Sequence, residues 1–178
     1  MPKIKDLPPG IKYHFFLSHA QDKGQGQIKS LQLGLQTEFE VKCWIDVEQE
    51  PNESEMKKGV HESMCFLILL TKGIMARPWC QKELGWALDM GKKIVVVWVS
   101  DVREAHGGMS FQEHMEQCKT DFPRCAQIFT TAVAIRYECE GGLDKAMYQK
   151  IMDRSGLLLA RAENADIESP PLSAKLAF

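Results

Sequence analysis

Two apolar runs, Cys65-Phe66-Leu67-Ile68-Leu69-Leu70 and Ile94-Val95-Val96-Val97-Trp98-Val99, decide the fold. Neither alternates apolar with polar residues. Strands of that composition are buried on both faces, as in a parallel sheet covered by helices. Between them lies Arg77-Pro78-Trp79-Cys80-Gln81-Lys82-Glu83-Leu84-Gly85-Trp86-Ala87-Leu88. Proline is favoured at the first helical position, where its missing N–H costs nothing, so the segment is expected to be helical from Pro78 to Met90. Gly91 and the Lys92-Lys93 pair are helix-stop signals. Strand, helix, strand in that order is a βαβ unit.

The pattern extends both ways. Tyr13 to Ser18 reads as a first strand, followed by a polar loop from Gln21 to Gly26. Ile28, Leu31, Leu35 and Phe39 then repeat at helical spacing. Val41 to Asp46 reads as a second strand, and Val47 to Glu53 as a long acidic loop. Met56, Val60 and Met64 mark the next helix, with Asn52 or Ser54 as its N-cap. Beyond Val99, the stretch from Asp101 to Pro123 is less regular. It carries Gly107-Gly108 as a breaker and a short helix around Phe111 to Cys118. Ala132 to Arg136 is expected as a fifth strand and Leu143 to Met152 as a closing helix. The expected fold is α/β: a flavodoxin-like, doubly wound, five-stranded parallel sheet with helices on both faces. Residues 1–11 form a lead-in and 157–178 a tail of low order.

Composition narrows the class. A chain of 178 residues fits one domain with a substantial core. The net charge of −2 excludes a broad nucleic-acid-binding face, which needs clustered Lys and Arg. The opening Met1-Pro2-Lys3-Ile4-Lys5-Asp6 lacks an apolar signal-peptide core. Both apolar runs are far too short to span a bilayer. A cytoplasmic chain without membrane insertion is expected. The six cysteines form no C-x-x-C pair and several sit in apolar segments, which points to free thiols in a reducing compartment. His114, Cys118 and Cys125 are the one metal-like cluster. They have no matched fourth ligand, so packing rather than metal binding is expected. Trp86 and Trp98 are expected in the core.

Trp79 and Glu83 stand four apart on the central helix and therefore share a face. They lie near the end of the preceding strand, where open α/β sheets bind ligands. An indole plate beside a carboxylate suits a flat ring and a sugar. A P-loop is excluded, because Gly24-Gln25-Gly26 does not supply G-x-x-x-x-G-K-[ST]. A phosphoacceptor receiver domain would want an acidic cluster where the first strand ends in Phe-Phe-Leu-Ser-His.

Four blocks in order carry a resemblance. Phe15-Phe16-Leu17-Ser18-His19-Ala20, Val41-Lys42-Cys43-Trp44-Ile45-Asp46, Gly59-Val60-His61-Glu62-Ser63 leading into Cys65–Thr71, and Trp79-Cys80-Gln81-Lys82-Glu83-Leu84 together resemble a TIR domain (Toll/interleukin-1 receptor/resistance protein homology domain) over residues 12–156. The last block is similar to the family's W-C-x-x-E-L signature. Some members are scaffolds that recruit other TIR domains through the BB loop. Others cleave NAD+ at the nicotinamide–ribose bond, and some cyclise the ADP-ribose.

The resemblance implies an NAD+ nucleosidase in immune or cell-death-type signalling, with NAD+ as substrate and no cofactor. Glu83 takes the catalytic role. Trp79, Ser18, His19 and Met56 would border the substrate, with Trp79 and Met56 holding a folded-back adenine that favours some cyclic product. Glu48, Glu50, Pro51 and Glu53 belong to the BB loop, the interaction loop for other TIR domains in a homo-oligomer or filament. The run His19-Ala20-Gln21 departs from members with basic residues after the serine, leaving one histidine and no arginine there. Glu83 and His19 are expected to be exposed, so Glu83→Ala is expected to remove activity without disturbing the fold. The alternative reading is a non-enzymatic scaffold acting through homotypic contact.

Overall fold

The computed structural model describes residues 3–45, 52–131, 133–138 and 145–159. Five parallel strands form one sheet in the order β2-β1-β3-β4-β5. They are β1 (Tyr13–Ser18), β2 (Cys43–Ile45), β3 (Ser63–Leu70), β4 (Lys93–Val99) and β5 (Ile135–Tyr137). The helices are α1 (Gln21–Phe39), α2 (Glu53–His61), α3 (Pro78–Asp89), α4 (Phe111–Asp121), α5 (Ala126–Thr131) and α6 (Lys145–Ser155). The flavodoxin-like expectation is met.

The apolar runs are buried on both faces because successive side chains of a strand point to opposite sides. Phe15, Leu17, Leu67, Leu69, Val95 and Val97 pack against Ile28, Leu31 and Leu35 of α1 and Tyr148, Ile151 and Met152 of α6. Their neighbours Phe16, Phe66, Ile68, Leu70 and Val96 pack against Val60 of α2, Leu84 and Ala87 of α3, Cys118 of α4 and Ile128 of α5. Central β3 pairs with β1 through Phe15–Cys65 to Ser18–Ile68, and with β4 through Cys65–Lys93 to Leu70–Trp98. The chain leaves β1 for α1 on one face and leaves adjacent β3 for α3 on the other. The carboxyl ends of β1 and β3 are thus the switch point at which this topology opens a crevice.

Several elements depart from expectation. The polar stretch from Gln21 to Gly26 is not a loop but the first turns of α1. Gly24 is buried there, and a Cβ would meet Leu69, His19 and Thr71 in ordinary contact at 3.4–3.6 Å, so the first turns of α1 are seated on the strand ends. Helix α4 runs three residues further than expected and opens with a capping box between Ser110 and Glu113. Helix α5 has no counterpart in the sequence reading, and β5 lies further along than expected, at Ile135–Tyr137. Asn52, rather than Ser54, caps α2 by accepting from the amides of Ser54 and Glu55. Gly107 takes a φ of 63° and turns the chain after β4, as the glycine pair suggested.

Gly34 of α1 faces Tyr148 of α6 so closely that a Cβ would fall 2.1 Å from the ring. Trp86 and Trp98 are half-buried rather than fully in the core. Residues at the two ends of the domain meet: Ile4 bridges Leu158 in antiparallel fashion, Lys5 N–H donates to Leu157 (2.8 Å) and Leu159 N–H to Lys3 (3.0 Å). No helix among the described residues is long and apolar enough to cross a membrane.

Candidate functional site

The last residue of β1 begins the site. Ser18 is 1 % exposed, and its hydroxyl donates to Glu83 Oε2 at 2.5 Å. Glu83 is on the inward face of α3 and only 5 % exposed. The expectation of a solvated glutamate is therefore corrected. The helix opened by Pro78 packs down on the end of the sheet and buries this carboxylate against the end of β1. His19 is buried as well, at 7 % exposure, because the chain turns directly from β1 into α1.

Two further contacts continue the same line. Cys80, one turn before Glu83, donates its thiol to the His19 carbonyl at 3.5 Å. Arg77, one turn earlier still, forms an ion pair with Asp22 in the first turn of α1. Burial, followed by the Glu83 carboxylate, pushes the Cys80 thiol far up, so it rests as the protonated thiol at neutral pH. The same thiol also feels Arg77 and Asp22, which places all of these groups in one cluster. At the end of β3, Thr71 is 1 % exposed and its hydroxyl has no hydrogen-bond partner among the described residues.

The other proposed site residues lie around this line. Trp79 is half-buried, and Lys82 Nζ stands 4.6 Å from the centre of its ring. That ammonium reaches Glu53 Oε2 at 2.6 Å. One side of the indole is thus given to a cation rather than left for a flat ligand. Met56 is 2 % exposed and lines a cleft of about 310 Å³ with Trp44, Asn52 and Gly59. Of the interaction-loop residues, Glu53 is described and pairs with Lys82. Glu48, Glu50 and Pro51 lie outside the described residues. A further cleft, about 1350 Å³, runs from Asp22 and Lys23 along α1 to the ends of β4 and β5, and its lining does not include Glu83. One of its acids, Asp101, is held well below the usual carboxylate range by hydrogen bonds from Arg103, and His106 stands beside it. Such a carboxylate is tied up as a partner rather than free for chemistry.

Among the described residues no group of three His, Cys, Asp or Glu is disposed to hold a metal. His114 instead ties α4 to β4 through Nε2 and the Val99 carbonyl, 2.8 Å apart.

Sequence reasoning missed Arg77, Asp22 and Thr71. Arg77 stood inside the quoted α3 block, but its partner lies 55 residues away. The charge was legible and the pairing was not.

No curated relative matches the chain in sequence. Among solved structures, it is similar to the TIR domains of the activated Roq1 resistosome directly recognizing the pathogen effector XopQ. The TM-score is 0.52 at 15 % identity, over 80 % of this chain and 98 % of that one. It is also similar to a metazoan TIR-STING receptor from C. gigas, in a complex with 2',3'-cGAMP (TM-score 0.57, 14 % identity, 87 % of this chain) and in a second structure (0.58, 13 %, 88 %). This chain spans 42 % and 44 % of those receptor chains. These likenesses concern the fold. A family model described as TIR domain matches residues 15–104, half of the chain and the stretch that carries Ser18, Arg77 and Glu83. With that match on the observed sheet order, the chain belongs to the TIR domain family.

Proposed function

We propose that this protein cleaves the nicotinamide–ribose bond of NAD+ at Glu83. The observation that carries the reading is the buried Glu83 carboxylate, bonded by Ser18 at the switch point of the sheet. Bond cleavage leaves positive charge on the ribose, as in glycoside hydrolysis. The bonding pair departs with the nicotinamide ring nitrogen, which becomes neutral, so no general acid is needed and one carboxylate suffices. Glu83 accepts hydrogen bonds from ribose hydroxyls and stabilises the cation, in surroundings where such interactions are stronger than in water. Ser18 holds the carboxylate in place. Water then gives ADP-ribose, or an atom of the same molecule closes a cyclic isomer. Assembly with further copies, in the cytoplasm and in a signalling role, belongs to the same reading. The free cysteines of the described residues suit that compartment.

Nicotinamide release from NAD+ by the purified chain at high protein concentration tests the proposal, with Glu83→Gln as the control. Release that is absent from the wild type, or equal in the variant, removes Glu83 from a catalytic role.

A second reading, a scaffold acting through homotypic contact, draws on the Glu53–Lys82–Trp79 arrangement, which fixes the start of α2 on α3 as a firm polar surface. Exchanging the charges, Glu53→Lys with Lys82→Glu, is expected to preserve self-association where Glu53→Lys alone weakens it. Chromatography with light scattering reads the difference.

A further inference from the structure

The contacts of α3 with the β1–α1 junction form a seam of reversed order. Ser18, His19 and Asp22 meet Glu83, Cys80 and Arg77. Burial falls along it. Ser18 and Glu83 at one end are 1 % and 5 % exposed, whereas the side chains of Asp22 and Arg77 at the other are 42 % and 50 % exposed. The seam therefore runs from water to the buried carboxylate, with an arginine at its outer end. Arg77 stands six positions before Glu83, a rise of about 9 Å along the helix axis. A ribose and an arginine side chain bridge that distance between them.

Two features mark the outer end as an anion position. No side chain caps the start of α3 and no acid stands in its first turn, and the guanidinium of Arg77 beside it is paired with Asp22 of the neighbouring helix. A cleft of about 1350 Å³ is lined by Asp22, though not by Arg77, and gives the rest of a long ligand a place to lie beside the pair.

Resting on the NAD+ reading, we propose that Arg77 binds the diphosphate of the substrate and that Asp22 is its internal competitor. Asp22 occupies the guanidinium until a phosphate displaces it. Asp22 engages the guanidinium through one nitrogen, Nη2, whereas a phosphate can take two N–H groups at once, so the phosphate is the better partner for the fork. The phosphates bring more charge than the single carboxylate they displace. Arg77 is thus a positioning residue that sets the ribose over Glu83.

The two partners are expected to act in opposite directions, and this separates the proposal from a merely structural ion pair. Calorimetric titration with ADP-ribose needs no turnover. Asp22→Asn frees Arg77 and is expected to tighten binding by about two- to fivefold, the worth of an exposed ion pair. Arg77→Ala is expected to weaken it by about tenfold or more, the worth of hydrogen bonds to a charged group. Arg77→Lys, which keeps the charge and loses the fork, is expected to fall between. In steady-state assays the same changes should appear in KM for NAD+, and thermal unfolding of each variant checks the fold. Weaker binding in both Asp22→Asn and Arg77→Ala makes the pair structural and overturns the proposal. So does unchanged binding in Arg77→Ala, or a wild type that takes up no ADP-ribose. ADP-ribose binding that follows the expected pattern without nicotinamide release defeats the catalytic reading and keeps this one. Nicotinamide release with an unchanged KM in Arg77→Ala does the reverse.

Discussion

Replacing Glu83 in two ways, and Ser18 in one, separates what the carboxylate does for the fold from what it does for chemistry. Glu83 is 5 % exposed and accepts the Ser18 hydroxyl at 2.5 Å. Glu83→Ala leaves that hydroxyl buried without its acceptor and opens a void, which together cost about 2–4 kcal/mol. Ser18→Ala takes a donor from a buried acceptor that carries charge, a loss of about 1.5–3 kcal/mol. Glu83→Gln keeps the shape, keeps an oxygen to accept from Ser18 and removes a desolvated charge, so it is expected within about 1 kcal/mol of the wild type. Urea unfolding followed by tryptophan fluorescence reads all three. In the double variant Ser18→Ala with Glu83→Ala the costs are expected to fall short of their sum, because the two side chains share one bond. Nicotinamide release is expected to be lost in Glu83→Gln although its stability is retained. A Ser18→Ala protein as stable as the wild type would show that the 2.5 Å bond contributes nothing. Glu83→Gln as unstable as Glu83→Ala would mean that the charge itself is part of the fold.

Gly34→Ala is expected to lower stability by about 1–3 kcal/mol despite the better helix propensity of alanine, because its Cβ would lie 2.1 Å from the Tyr148 ring; a urea midpoint equal to the wild type refutes this packing. Burial holds His14 and His114 below the usual value of 6.5, and Lys42 N–H already donates to His14 Nδ1 at 2.8 Å. The unfolded chain therefore binds these protons first as pH falls. Their contribution to stability is full above about pH 6.5 and is lost on acidification towards the lower folded values, so the thermal midpoint is expected to drop between about pH 7.5 and 5.5; a flat profile refutes it. Burial pushes the Cys65 thiol up to about 12, and Cys80, Cys118 and Cys125 are buried too. Iodoacetamide at neutral pH is expected to label these four only after denaturation, as mass spectrometry of the peptides will show.

The parts of the fold legible in the sequence are those fixed by strong local pattern. Strand β1 runs from Tyr13 to Ser18 as read, and α3 opens at Pro78. The apolar runs each gain only residues before their starts, as β3 begins at Ser63 and β4 at Lys93. The parts that escaped depend on tertiary packing. Gln21–Gly26 has loop composition, yet Gly24 packs against Leu69 and Thr71, contacts that lie in a different strand and its following turn. The site divides in the same way. Ser18 and Glu83 were legible as motif positions, but their burial depends on where α3 comes down on the sheet. Asp22 and Arg77 advertise charge, and only the fold makes them partners.

The antiparallel ladder of residues 3–5 with 157–159 has a mechanical consequence. Lys3 and Leu159 form its outer rung and Lys5 and Leu157 its inner one, so the chain leaves both strands on the same side. Tension applied to the two ends together would peel this ladder one rung at a time, loading single hydrogen bonds in succession. Shearing would instead load all of them at once. The ladder acts as a fuse that parts at low force before the parallel sheet feels the load. A pull from either flank would reach Leu157, whose side chain is buried in the core, only after the outer rung had opened.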